Sequence, residues 1–244
     1  MSARITLATA GRVLRQLRHD HRTLALMIVV PCVLISLLAW LFEGTDTFDQ
    51  IGAPLLGIFP FVVMFLVTSV ATLRERRSGT LERLLTMPIG KLDLLVGYAL
   101  AFGLVAVVQA TVATGLAVTV LGLDVAGPVW FLLLVAVLDA VLGMALGLFV
   151  SAFAATEFQA VQFMPAFVLP QFLLCGLLVP RDQMDDILYA ISTVLPLSYA
   201  VDAMTALTTS AEIDSEAWAD LSVVVLAIVL ALGLGAATLR RRTP

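Results

Sequence analysis

Six long apolar stretches separated by polar segments constrain this chain more than any other feature. They run Leu24–Phe42, Ile51–Leu73, Leu92–Leu121, Pro128–Ser151, Phe158–Val179 and Ala219–Leu239. Each is near or above the ~20 residues that a helix needs to cross the hydrocarbon core of a bilayer. With 61% hydrophobic and 13% charged residues and a mean hydropathy of +1.05, the composition lies far outside that of soluble domains. The expected fold is all-α and integral to the membrane, one domain over residues 1–244 with six transmembrane helices. The third stretch exceeds the length of a crossing and is expected to tilt or to extend beyond the membrane. The first is too long for a signal peptide, and "EGTDTFDQ" follows it without a small-residue cleavage site.

Charge sets the orientation. Of the 14 Lys and Arg residues, all but Arg181 fall before the first stretch, between the second and third, or after the last. Short cytoplasmic segments retain basic residues, so an even number of crossings places both termini inside. The opposite side collects Glu43, Asp46, Asp49, Asp124, Asp182, Asp185, Asp186, Glu212, Asp214 and Glu216, which accounts for the net charge of −4 without an acidic ligand. Cys32 and Cys175 sit far apart inside apolar runs, and packing is their expected role.

The densest polar island is "LRERRSGTLERLLTMPIG", residues 73–90, on the cytoplasmic side. Ser78 or Thr80 can cap a new helix there, Glu82 suits its first turn, and Leu81, Leu84 and Leu85 form one apolar stripe. Pro88 ends it, because the residue before a proline is pushed out of α geometry. A helix of two to three turns results, able to dock in a groove on a soluble partner or simply to anchor the loop. Ahead of the first stretch, "RITLATAGRVLRQLRHDHR" is amphipathic: Leu7, Ala10, Leu14 and Leu17 recur at helical spacing, with Arg12, Arg15 and Arg18 mainly on other sides. It reads as a helix on the inner leaflet, in contact with membrane lipids.

Glu75, Gly79, Thr80, Glu82, Leu84, Leu85 and Pro88 together resemble the RExxxGTxExLLxxP signature of type-2 ATP-binding-cassette (ABC) exporter permeases, especially the daunorubicin-resistance-like ones. Arg77 departs from it, standing where many relatives carry a second glutamate. The resemblance implies that residues 74–91 hold a cytoplasmic coupling helix seated in a cleft of a separate ATPase, and that residues 1–23 form a connecting helix beside it. Glu157, in the turn "SAFAATEFQAVQ", matches the position of a second ATPase contact, although it also suits a local role at the start of the fifth helix. Residues 180–216 are too long for a plain connector. They read as two short helices, Asp182 to Thr193 and one opened by Pro196, resembling the family's re-entrant outer helices before the last span.

Polar residues within the apolar stretches are candidates for a substrate path. Asp139 lies mid-membrane, where an aspartate costs about 2.5–3.5 kcal/mol on insertion scales. It can be protonated, can face a solvated cavity, or can bond Gln109, Thr111 or Thr114. Gln162 and Gln171 lie in the fifth stretch with Gln159, Pro165 and Pro170, and can line a path or satisfy carbonyls freed by the prolines. Gly143 and Gly147, a GxxxG pair with Ser151 one turn on, favour close helix contact.

No G-x-x-x-x-G-K-[ST] loop occurs, since Lys91, the only lysine, precedes leucine. HExxH and GxSxG are absent as well, and His19 and His21 sit among surface basic residues. The chain is therefore expected to be a non-enzymatic permease subunit binding no cofactor or metal itself, with ATP and Mg held by two copies of a cytoplasmic ABC ATPase. A second permease copy or paralogue is the expected membrane partner, and no nucleic-acid partner is expected. Localisation in a bacterial plasma membrane follows, with an apolar or amphipathic drug, lipid or glycolipid as cargo. The alternatives are an ATPase-independent ion- or proton-coupled carrier using Asp139 and Glu157, and a non-transporting assembly or sensor subunit.

Overall fold

The structure, a computed structural model, describes residues 2–78 and 90–238. Nine α-helices occur among the described residues: α1 Ala3–His19, α2 His21–Leu41, α3 Thr47–Arg77, α4 Lys91–Thr119, α5 Val129–Val150, α6 Glu157–Leu174, α7 Asp186–Ser192, α8 Pro196–Thr209 and α9 Ser215–Thr238. A single 3-10 turn, Arg181–Gln183, precedes α7. Helices α2, α3, α4, α5 and α9 are each long and apolar enough to cross a membrane. The pair α7 and α8, bent by 93°, forms a sixth candidate as a broken span or re-entrant loop. The all-α membrane fold expected from the sequence is thus present.

Two stretches differ from expectation in length. Helix α3 is 31 residues long, about 46 Å, and carries its helical path beyond the apolar run as far as Arg77. Helix α6 has 18 residues, about 27 Å, and ends at Leu174 instead of Val179. Gly176 at φ +97° turns the chain away after Cys175, a conformation that favours glycine. Helix α6 also carries three glutamines and two prolines, and it falls outside the five spanning candidates.

Helix α3 is the axis of the bundle. Its closest neighbour is α5, and glycines make that approach feasible. A Cβ at Gly147 would come within 2.5 Å of the Phe65 carbonyl oxygen, and one at Gly143 would overlap the Phe61 carbonyl. Lipid tails are as apolar as leucine, so helices associate here through tight packing and polar bonds instead of through escape from water. A buried cluster including Phe61, Phe65, Phe131, Leu132 and Met204 joins α3, α5, α8 and α9. A second, with Val13, Leu17, Met64, Leu94, Tyr98 and Phe102, joins α1 and α4 to the other end of α3. Helix α2 buries only Met27, Pro31 and Ile35, one stripe at i, i+4 and i+8, and leaves the rest of its surface outward.

The bundle has a basic end, with α1, the C-terminus of α3 and the N-terminus of α4, and an acidic end opposite. All three tryptophans, Trp40, Trp130 and Trp218, lie at helix ends on the acidic side, as expected where a bilayer meets water. Trp130 and Trp218 flank Phe131, with centroids 5.6 and 5.2 Å away. There Arg181, the lone basic residue on that side, ties the outer segment together. Its Nε donates to Ser192 Oγ at 3.1 Å, its Nη1 pairs with Asp202, and it lies over the Tyr199 ring at 5.1 Å. Pro196 opens α8 at its first turn as expected, and α8 buries Leu197, Ala200, Ala203, Met204 and Leu207. Helix α7 instead leaves Ile187, Leu188 and Ile191 exposed.

Candidate functional site

Gly79, Thr80, Leu81, Glu82, Leu84, Leu85 and Pro88 lie outside the described residues. The structure shows instead how the helix ends on either side of them are bonded. Ser78 closes α3, its Oγ donating to the Glu75 carbonyl at 3.1 Å. One turn earlier, Glu75 accepts a forked pair from Arg12 of α1, Nη1 to Oε1 at 3.2 Å and Nη2 to Oε2 at 3.1 Å. Arg12 also donates to Tyr98 Oη at 2.9 Å and to Gln16 Oε1 at 2.9 Å, and its guanidinium lies 5.6 Å from the Tyr98 ring centre. Arg12 and Glu75 are largely shielded, at 27% and 15% side-chain exposure, so their attraction is weakly screened.

Arg74 points elsewhere, since neighbouring residues on a helix are about 100° apart. It donates Nε to Glu157 Oε1 and Nη2 to Oε2, both at 3.0 Å. The hydrogen-bonded guanidinium holds the Glu157 carboxyl below the usual glutamate range. Thr156 caps α6 by accepting from the Gln159 amide at 3.1 Å, and Gln159 Oε1 accepts in turn from the Ala155 amide at 2.8 Å. Glu157 thus has the local place at the start of α6 that its position allowed, together with a cross-helix partner.

On the far side of the loop, Asp93 in the first turn of α4 accepts from the Ser2 amide at 2.8 Å and from Thr6 Oγ1 at 3.3 Å. Helix α1 therefore bonds α3 through Arg12 and α4 through Ser2 and Thr6. Its seat on α4 is Gly97, where a Cβ would lie 2.6 Å from Thr9 Cβ. This corrects the expected stripe. The buried face of α1 is Thr6, Thr9, Ala10, Val13 and Leu17, while Leu7 is 64% exposed. Threonine can be buried because its hydroxyl returns to the helix's own carbonyls, Thr9 to Ile5 at 3.0 Å and Thr6 to Ser2 at 3.2 Å.

The residues proposed for a path do not converge on one site. Gln109 is wholly buried, and its amide donates to the Met27 carbonyl at 2.5 Å. Pro31 explains the need: lacking an N–H, it leaves the carbonyl four residues earlier without its helical donor. Gln171 is also buried. Its amide donates to Phe167 O at 3.0 Å, not to a carbonyl freed by Pro165 or Pro170, and its oxygen accepts from the Leu197 amide at 3.4 Å, a helix-start donor of α8. Gln162 lies on the exposed face of α6, which also carries Phe158 and Leu169. Asp139 is 0% exposed, and neither carboxyl oxygen has a hydrogen-bond partner. Gln109 and Thr111 bond backbone carbonyls instead, and Thr114 Oγ1 is itself unpartnered, so the suggested bonds to Asp139 do not form. Its carboxyl packs against Gly57 of α3, where a Cβ would meet Asp139 Oδ2 at 2.8 Å and Met204 Sδ of α8 at 3.0 Å.

Sequence reading missed Arg12, Arg74, Tyr98 and Asp93 as members of this arrangement. For Arg74 and Asp93, in the helix-terminal turns that flank the polar island, that position was the available signal, whereas Arg12 and Tyr98 lie within their helices and had none. Among the described residues no group of His, Cys, Asp and Glu has the form of a metal site, and the clamp contains no paired nucleophile and base. What it can do is fasten the ends of α3 and α4 to α1 and α6.

Comparison with known proteins places the arrangement. The chain is similar to the probable multidrug ABC transporter permease YbhR of Escherichia coli (strain K12), 26% identical over 148 residues, covering 61% of this chain and 40% of that protein. It is 28% identical over 141 residues to the inner membrane transport permease YhhJ of the same strain, covering 57% and 38%. With ABC transporter G family member 20 of Dictyostelium discoideum it shares 26% over 156 residues, covering 64% and 21%. The chain spans less than half the length of these relatives. The family described as ABC-2 type transporter matches residues 4–208, from the first turn of α1 to the end of α8, and the chain belongs to that family.

Proposed function

We propose that this chain is the membrane-spanning permease subunit of an ATP-driven exporter, with the loop between α3 and α4 as the receiver of force from a separate soluble ATPase. The supporting observation is the clamp. Arg74 and Glu75 on one side of the loop and Asp93 on the other are bonded to α6 and α1, so a push on the loop would move four helices together. In this reading the basic end faces the cytoplasm of a bacterial cell, both termini lie inside, and Leu81, Glu82, Leu84 and Leu85 meet the ATPase. Two ATPase copies, carrying ATP and Mg, and a second permease copy or paralogue complete the assembly. The resemblance to the RExxxGTxExLLxxP signature supports kinship with the daunorubicin-resistance-like permeases. Cargo is hydrophobic or amphipathic, because the helices offer few polar side chains.

Co-purification with a candidate ABC ATPase, followed by ATP hydrolysis with and without candidate cargo, tests the reading. A Glu82→Ala/Leu84→Ala variant should insert normally and lose coupled hydrolysis. A complex that forms without any ATPase yet still transports would overturn it. Asp139 supports a second reading: a buried, unpartnered carboxyl is the feature a proton-coupled carrier would need. That carrier would work without a nucleotidase and would stop on Asp139→Asn.

A further inference from the structure

Beside the clamp lies a cavity of about 400 Å³ whose lining is graded. Along α3 it passes from Leu66, Val67, Val70 and Ala71 to Arg74 and Glu75, from hydrocarbon to charge within about 13 Å. Phe102 of α4 and Leu26 of α2 close its apolar part, and Gln16, Asp20 and Thr23 stand at its polar rim. A gradient of this kind along one helix suits an amphiphile standing in a single leaflet, with body in the apolar part and head at the rim. The volume falls within the ~300–1,000 Å³ of small-molecule sites.

The rim charges select the head. Arg74 donates twice to Glu157, and both terminal nitrogens of Arg12 are engaged by Glu75, Gln16 and Tyr98. An anionic head would meet cations already bonded. Asp20 caps α2, accepting from the Thr23 amide at 3.1 Å and the Thr23 hydroxyl at 2.6 Å, and it forms no ion pair among the described residues. The charged residues that line the mouth are Asp20, Arg74 and Glu75, one arginine against two carboxylates, while Arg12 and Glu157 stand behind them as the partners of Glu75 and Arg74. Arg4, Arg15 and Arg18 do not line it either.

We propose that this cavity binds an amphiphilic monocation, an amine or onium head on an apolar body, drawn from the leaflet at the basic end, with Asp20 facing the head and Val70 and Phe102 the body. The inference rests on the permease reading for its purpose, as cargo entry or regulation, though not for its test.

The test is equilibrium binding of radiolabelled tetraphenylphosphonium to the purified chain in phosphatidylcholine nanodiscs, without an ATPase. Radiolabelled tetraphenylborate, of nearly the same shape and opposite charge, is measured in separate samples, since the two ions pair and precipitate when mixed. Saturable binding of tetraphenylphosphonium and no saturable binding of tetraphenylborate are expected. Asp20→Asn keeps a residue suited to capping α2 while removing the charge, and should weaken binding about tenfold, the change that 1.4 kcal/mol produces. Val70→Trp fills the apolar part and should abolish saturable binding, with size-exclusion profiles confirming that each variant is folded. Non-saturable uptake by the wild type, equally tight saturable binding of tetraphenylborate, or wild-type affinity in folded Asp20→Asn would each overturn the proposal. Because no ATPase is present, such a failure leaves the coupling reading standing, and loss of ATPase co-purification leaves this one standing.

Discussion

Arg12 of α1 and Glu75 of α3, 63 positions apart in the chain, meet in a two-pronged ion pair that fastens a surface helix to the end of a spanning one. The Glu75 carboxylate, one of the residues expected to contact an ATPase, is therefore turned inward onto the permease itself. The pair fastens α1 to α3 within the last turn before the loop.

Arg12→Ala should lower stability by about 1–3 kcal/mol, because it leaves a shielded carboxylate without its donors. A fall in the unfolding temperature of the purified protein is the measurement. Arg12→Glu/Glu75→Arg should recover part of the loss. Equal melting of Arg12→Ala and wild type would show that the pair holds nothing.

The Arg74–Glu157 pair is more exposed, at 58% and 47%, and its contribution is correspondingly small, about 0.2–1 kcal/mol. Its pH dependence has a definite sign. Folding holds the Glu157 carboxyl below its ordinary value of 4.5, so the contribution is present above that pH and is lost as pH falls through the lower folded value. Glu157→Gln should melt slightly below wild type at pH 7, and the two curves should converge on acidification below pH 4.5.

Gln109→Leu should cost about 1–3 kcal/mol by orphaning the Met27 carbonyl. Pro31→Ala restores a backbone N–H at the position that can reach that carbonyl, so the loss should shrink markedly in the Gln109→Leu/Pro31→Ala background. A double-mutant cycle on thermal unfolding reads the coupling, and additive effects would disprove the pairing of amide and proline.

Gly147→Leu should prevent the approach of α5 to α3, since even a Cβ lies within 2.5 Å of a carbonyl oxygen. Overpacking that a side-chain shift can absorb costs about 1–3 kcal/mol, and a backbone clash exceeds what such a shift absorbs. Loss of the monodisperse peak in size-exclusion chromatography is expected, whereas Gly103→Leu, at an open position, should keep it.

Asp139→Asn should raise the unfolding temperature, because an unpartnered buried carboxyl is costlier to keep than an amide of the same shape. The same variant separates the two functional readings: an ATP-driven exporter should retain coupled hydrolysis, and a proton-linked carrier should stop.

Much of this architecture was legible in the sequence. The apolar runs placed the long helices, Gly143 and Gly147 announced a close helix contact whose partner the fold supplies as α3, and Pro196 opened α8 where expected. The face of α1 was not legible, because leucine spacing favoured Leu7 while the glycine notch at Gly97 admits Thr9 and its neighbours. Nor was the end of α6, which depends on the turn at Gly176, nor the pairing of Gln109 with a carbonyl on another helix. The fit of Asp139 between Gly57 and Met204 likewise joins three helices that are distant in sequence.

The sequence by itself determined that the chain is a set of membrane helices and which ends carry the basic residues, since a bilayer responds to each stretch according to its own length and composition. Only the tertiary structure decided which polar groups pair, which face of α1 is buried and where a graded cavity opens. Those outcomes depend on the distance and direction between side chains that the chain separates by tens of residues, and no local pattern encodes them.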